Sequence, residues 1–308
     1  MAAPNTNFVT RARIRIPAST SNLGPAFDAV GLALQLFLTL EVRVLERSPS
    51  RMEVSGQDAH LIPANESNYV WRSMVDIADE AGCRLPSFSL EMENQIPISK
   101  GLGSSSSALL AAAAAVNFLC GLNWDREKLL KVTSAREGHP DNLAPSIWGG
   151  LVASIYGEKI FCTKSEFPRE WTVIAVTPDL EISTEFARSI LPAEIPREHA
   201  IYNIQRTAFL MAQLTQGRRE GLREAMSDLL HQPYRSKLIP GLNEVLAMDH
   251  EGLLGIALSG SGSTVMAFAD SHTVEIGAAI AERFQSFGLS AQSRLLKADN
   301  AGLIVEML

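Results

Sequence analysis

The chain has 308 residues, 46% hydrophobic and 20% charged, with a formal net charge of −7. That length suits two ordinary domains with a real core, and the acidic balance excludes the basic footprint of nucleic-acid recognition. The longest apolar run, residues 108–116, falls short of the roughly 18 residues that span a bilayer, so no membrane partner is expected.

In chain order, "RARIRIPA" (residues 11–18) alternates as a strand with one buried face should, and "LFLTLEVRVLE" (36–46) alternates again. Residues 67–82 have helical spacing and close on a glycine. "FSLEME" (88–93) reads as a strand, residues 104–120 as a buried helix, and 125–137 as an amphipathic helix capped by Asp125. "GGLVASIYG" suggests a short strand. In the second half, 171–178 is a strand and "TEFARSILP" a short helix stopped by Pro192. Residues 200–230 give two helices with a weak joint at Gly217, and 252–270 a strand, a tight glycine turn and a strand. Residues 273–288 form a helix, and "AQSRLLKA" and "GLIVEML" are final strands. Paired strands with helices between them predict an α+β protein of two domains, 1–160 and 161–308, divided within the polar stretch 157–170. The N-terminal segment lacks the apolar run of a secretion signal. Three widely spaced cysteines, Cys83, Cys120 and Cys162, make neither a disulfide framework nor a metal pattern. A reducing cytoplasm is the expected location.

Four polar stretches stand out. In "PISKGLGSSSS", Pro97 and Ser99 precede Gly101 and Gly103, and Ser104, Ser105, Ser106 and Ser107 open the most apolar helix. Free N–H groups and the positive end of a helix dipole make such a start a phosphate cradle, and serine hydroxyls there can reach Mg²⁺. A plain glycine turn with a serine N-cap has the same appearance. The stretch is neither a P-loop nor a dinucleotide fingerprint. "PASTSNLGPAFDAVGLAL" follows the first strand and carries Asn22 and Asp28 around the Gly24–Pro25 turn, either as ligand groups at a sheet end or as an Asx-type turn. "REGHPDNLAP" crowds Glu137, His139, Asp141 and Asn142 between two elements, more polar groups than a spacer needs, and equally reads as a capping turn with Asp141 or Asn142 as N-cap. "LSGSGSTVMAF" either brings backbone near a ligand or is a hairpin turn.

The order of these motifs resembles the GHMP small-molecule kinases, and within them the homoserine kinases. "TSNLGPAFDAVGLAL", "EGHPDNLAP" and "QPYRSKLIPG" are similar to that family's motifs, and the resemblance spans almost the whole chain. It implies an N-terminal domain like ribosomal protein S5 domain 2, a ferredoxin-like C-terminal domain, and transfer of phosphate from ATP to L-homoserine with Mg²⁺ on the threonine pathway. By the same resemblance, Pro97, Lys100, Gly101, Leu102, Gly103 and Ser104 to Ser107 would wrap the ATP phosphates. Asn68 would lie on the nucleotide side, and Ser105, or its neighbour Ser104, would sit with Glu137 at the metal. Asn22, Asp28 and His139 would line the homoserine pocket, with Asp28 on the ammonium and Arg188 and Arg235 on the carboxylate. Asn142 and Thr184 would lie near the reacting hydroxyl. Asp141 is expected to turn away from that hydroxyl, with catalysis by positioning and charge neutralisation rather than by a dedicated base. A homodimer is expected. The alternatives are a kinase for another small alcohol, or a ligand-binding relative without catalysis. Ala26, Ser106, Ser107 and Ser263 depart from the family's usual residues.

Overall fold

The computed structural model describes residues 10–308; most of the segment read above for a secretion signal, residues 1–9, lies outside the described residues. The chain builds β1 (Arg11–Ser21), β2 (Val30–Val44), β3 (Arg51–Gly56), α1 (Tyr69–Glu80), β4 (Phe88–Asn94), α2 (Ser104–Leu119), α3 (Arg126–Glu137), α4 (Leu143–Trp148), β5 (Leu151–Ile155) and β6 (Phe161–Ser165). Next come β7 (Thr172–Pro178), α5 (Thr184–Ser189), α6 (Arg197–Gln216), α7 (Leu222–Ala225), α8 (Gln232–Arg235) and α9 (Leu242–Leu246). The chain closes with β8 (Leu253–Leu258), β9 (Val265–Ala269), α10 (Thr273–Ser286), β10 (Ala291–Leu296) and β11 (Ile304–Met307).

The larger sheet runs β11-β1-β2-β4-β3, and β2 also pairs with the β5–β6 hairpin. β2 serves two partners because the β1–β2 register shifts between Pro17 and Ala18. A proline has no N–H for the ladder, so such an irregularity is where it fits. Beyond the shift, residues 30–32 of β2 face β5, while 38–44 face β4. The second sheet is antiparallel, in the order β10-β7-β9-β8. With α5 to α9 between β7 and β8 and α10 between β9 and β10, this is the ferredoxin-like βαββαβ arrangement. The sequence suggests a division at residue 160. It falls just before β6, which pairs with β5, and β11 returns from the far end of the chain to lie beside β1. Both strands belong to the first sheet.

The Ala-rich helix α2 is buried on nearly every face, from Leu109 to Val116. Small side chains let it sit between the first sheet, α1 and α3. Truncating a leucine there to alanine costs about 2–5 kcal/mol in comparable cores. Along β7, Val173 and Ala175 join this same core, whereas Ile174 and Val176 face the cluster under α10, the alternation a strand between two layers requires. The two units thus share the larger core, and the cluster under α10 is separate from it. Among the described residues no helix is long and apolar enough to cross a membrane.

Candidate active site

Three of the four polar stretches meet because main-chain bonds tie them together. Ser19 N–H donates to Leu102 O at 3.2 Å, Thr264 N–H to Lys100 O at 3.1 Å, and Gly260 N–H to Ser21 O at 3.2 Å. The Ser259 hydroxyl donates to Gly101 O at 2.6 Å and lies 2.8 Å from the Thr20 hydroxyl, from which it can accept. The late glycine turn therefore buttresses the loop before α2. Gly101 and Gly103 have φ of 77° and 70°, a region L side chains rarely adopt. A Cβ on Gly101 would lie 2.2 Å from Ser259 O, and one on Gly103 would lie 2.4 Å from the Ser19 hydroxyl.

This packing leaves the start of α2 open. Gly103 is the N-cap without a side-chain bond, and among the described residues the amides of Ser104, Ser105 and Ser106 make no hydrogen bond. Unpaired donors and the dipole of a 16-residue helix both favour an anion there. Lys100, Gly101, Gly103 and Ser104 to Ser106 line a cleft of about 370 Å³, while Pro97, Leu102 and Ser107 are buried behind it. The apolar wall beyond the loop includes Leu61, Ile62, Pro63 and Val70. Asn68 lies in that wall, but its amide is already engaged. It accepts from Val70 N–H at 2.8 Å as the cap of α1 and donates to Pro63 O at 2.7 Å.

Glu137, the last residue of α3, accepts from the Ser106 hydroxyl at 2.8 Å. Burial is the largest influence on this carboxyl. It outweighs the Ser106 bond and the charge of His139 and raises the pKa above the ordinary carboxylate value. A buried carboxylate beside a hydroxyl and an anion cradle is a donor set suited to a hard divalent cation. The serine touching Glu137 is Ser106, whereas Ser105, expected beside it, is exposed on the cleft side. So a hydroxyl that departs from the family's usual alanine is the one bonded to the carboxylate.

The other end of the cleft is built from side chains. Arg188 on α5 grips Asp28 with both terminal nitrogens, at 2.9 and 2.7 Å. Burial would lower the Arg188 pKa, but the bonds and charge of Asp28 raise it. Arg235 on α8 is buried, donating from Nη1 to Gly260 O at 2.8 Å and from Nε to Ala187 O at 3.2 Å. Burial, together with the charge of Arg188, lowers its pKa to about 10. The ring of Phe27 lies 5.4 Å from both guanidinium carbons, a cation–π spacer that keeps two like charges apart. Asn22 lines the cleft, with its amide bonded to Asp28 N–H and Gly260 O. Thr184 is exposed at the rim, its hydroxyl 3.5 Å from that of Ser261.

Asp141 is buried and bonded to His139 Nδ1 at 2.6 Å. Burial opposes ionisation of both partners, yet the bond and mutual charge dominate, lowering the Asp141 pKa and raising that of His139. Asn142 is fixed to the end of β1, accepting from the Ser19 hydroxyl and donating to the Ser21 hydroxyl, both at 3.0 Å. Phe27 and the serines of β1 were not legible as site groups. Their one signal was the placement of the "STSN" run at a strand end.

Known proteins resemble this chain over nearly its whole length. The family model for the GHMP kinases N terminal domain matches residues 68–150, and that for GHMP kinases C terminal matches residues 210–286. The chain is 40% identical over 310 positions to homoserine kinase of Deinococcus radiodurans, covering 99% of each. It is 38% identical over 297 positions to that of Desulfitobacterium hafniense, covering 95% of this chain and 99% of the relative. The crystal structure of homoserine kinase from Cytophaga hutchinsonii superposes with a TM-score of 0.84 at 25% identity, covering 99% of this chain and 100% of the other. A phosphate cradle and an ion-paired polar pocket opening to one cleft, on a chain matched end to end by these relatives, make it a member of the homoserine kinase family within the GHMP kinases.

Proposed function

We propose that the chain transfers the γ-phosphate of ATP to the side-chain hydroxyl of L-homoserine, giving ADP and O-phospho-L-homoserine in the direction of threonine synthesis. The observation that carries this reading is the meeting, in one cleft, of the unpaired amides of Ser104 to Ser106 with the Asp28, Arg188 and Arg235 cluster. The amides suit a triphosphate. The cluster offers an anion for an ammonium group and guanidinium forks for a carboxylate, which favours an amino acid over a simple alcohol.

In this reading the homoserine oxygen bonds to the γ-phosphorus as the bridging oxygen of ADP departs, and the hydroxyl proton leaves with the transferred phosphate. Glu137, with the Ser106 or Ser105 hydroxyl, would hold Mg²⁺, which when bound neutralises phosphate charge. Asn142 and Thr184 line the same cleft and would lie near the reacting hydroxyl. Asp141, sequestered by His139, takes no proton, and alignment of the two reactants does most of the work, an effect that can supply about 7–11 kcal/mol. The Asn68 assignment to the nucleotide side, a cytoplasmic setting and a homodimer belong to the same proposal, the last checked by light scattering.

The test is ADP release by the purified chain with ATP and Mg²⁺, comparing L-homoserine with mevalonate, galactose and shikimate. Turnover restricted to homoserine is expected. Turnover on one of the others gives a kinase of different acceptor, and no ADP with any of them leaves a binding protein.

A further inference from the structure

Beneath the acceptor pocket lies a fully buried imidazole that the reaction above does not use. His231, just before α8, has no solvent exposure. Its Nε2 is 2.8 Å from the carbonyl oxygen of Gly24 and its Nδ1 is 3.3 Å from Arg235 Nη1. A carbonyl oxygen only accepts, so Nε2 carries the proton. A guanidinium nitrogen only donates, so Nδ1 is bare. One protonation state, the neutral Nε2–H tautomer, satisfies both contacts. A second proton would set an N–H against an N–H.

The surroundings reinforce that state. The Phe27 ring stacks on His231 with centroids 5.2 Å apart and planes at 27°. Burial is the largest influence and pushes the imidazole below its ordinary value, helped by Arg235, while Asp228 and Asp28 pull the other way. Asp228 Oδ2 lies 3.5 Å from Nε2. That carboxylate is already occupied, accepting from Asn203 and from the amides of Leu230, His231 and Gln232.

The consequence falls on Arg235. Its Nε is tied to Ala187 O, and its Nη1 to both Gly260 O and His231 Nδ1. Nη2 makes no hydrogen bond among the described residues, and Arg235 lines the cleft. We propose that His231 is a positioning residue for the acceptor: locked by the Gly24 carbonyl as the Nε2–H tautomer, it holds Nη1 of Arg235 so that Nη2 is the nitrogen presented to the substrate carboxylate. The spacing His231–Arg235 is one helical turn, which puts both side chains on one face. This inference rests on the reading of Arg235 given under Proposed function.

Two isosteres separate the contacts, because an asparagine oxygen overlies Nδ1 and a glutamine nitrogen overlies Nε2. His231→Gln keeps the donor to Gly24 and loses the acceptor. Its KM for homoserine should rise about tenfold, the size of one charge-assisted bond, with KM for ATP unchanged. His231→Asn keeps the acceptor and should bring KM for homoserine back to within about threefold of the parent. Equal KM values for homoserine in the two variants, or a parallel rise in KM for ATP, overturns the proposal. An imidazole ¹⁵N spectrum of the unaltered protein at neutral pH tests it independently of how the variants fold. A bare Nδ1 on His231 whose resonance moves in Arg235→Gln is expected, and a protonated Nδ1 overturns the assignment. If the unaltered protein turns over no homoserine, the proposed function fails, and the spectrum still reads whether His231 and Arg235 are coupled.

Discussion

The two ends of the cleft are made of different material. On the proposed reading, the phosphate end is main chain: amides at the start of α2, held by glycines and by carbonyls bonded to Ser259 and Thr264. The acceptor end is side chain, with Asp28 from the β1–β2 loop, Arg188 from α5 and Arg235 from α8. A site made of backbone tolerates loss of a hydroxyl but not an added carbon. One made of ion pairs tolerates small steric change but not a change of charge.

The sharpest way to break that contrast is to add a carbon at the phosphate end. Gly101→Ala forces a Cβ to 2.2 Å from Ser259 O at a φ of 77°, and kcat/KM for ATP is expected to fall by about a hundredfold or more, with a lower Tm, because backbone rather than a flexible side chain must move. Wild-type kinetics in this variant would mean the loop is not held as described. Next in size is Asp28→Asn, which keeps shape and removes charge. KM for homoserine should rise about tenfold to a hundredfold while KM for ATP stays within about twofold, since a pocket built for an ion is left with an uncompensated Arg188. A matched rise in both constants would erase the distinction between the two ends.

The smallest effect on turnover is expected from Asp141→Asn. A general base contributes about 10² to 10⁴-fold, so a fall in kcat of less than about tenfold marks a positioning role and a fall of several decades marks a base. The same variant has a larger signature in stability. His139 titrates above its ordinary 6.5, so its charged partnership with Asp141 is fully present below 6.5 and is lost as pH rises through the raised value. Asp141 titrates below its ordinary 3.8, so its share is present above 3.8 and lost as pH falls through the depressed value. The Tm difference between parent and Asp141→Asn should therefore be largest in mildly acidic solution and shrink on the alkaline side of His139. A difference that grows with pH contradicts the pair.

Much of this was readable from local pattern. α2, α3 with its Asp125 cap, and the joint at Gly217 depend on periodicity and on capping residues within a turn of one another. What escaped depends on distance or on brevity. β2 begins at Val30, six residues before its alternation is visible, because Val30 to Leu34 is buried on both sides. β3 is a short strand whose partner, β4, lies beyond α1, and β6 is a five-residue strand inside the polar stretch that reads as a boundary. α4 contains Pro145 in its first turn and reads as loop, though a proline is tolerated there. α8 and α9 are too short for periodicity to show, and the helix expected after Gly217 is only the four residues of α7. Within the site, the residue types stood out in their motifs, but their pairing did not. Nothing local couples Asp28 to Arg188 across 160 positions, and nothing in "HQPYR" shows that its histidine faces a glycine carbonyl 207 residues earlier.

The Asp28–Arg188 fork carries one more implication. In the protein alone these two side chains neutralise each other, each about one-third exposed. A zwitterion arriving between them exchanges one internal contact for two intermolecular ones, and the total charge of the pocket does not change. A guest bearing only an amine or only a carboxylate would strand one member of the pair without a counter-ion, at the energetic disadvantage that accompanies any half-satisfied charge. On the reading proposed above, the fork would act as a two-key lock, admitting amino acids and rejecting their singly charged fragments before any phosphate is moved.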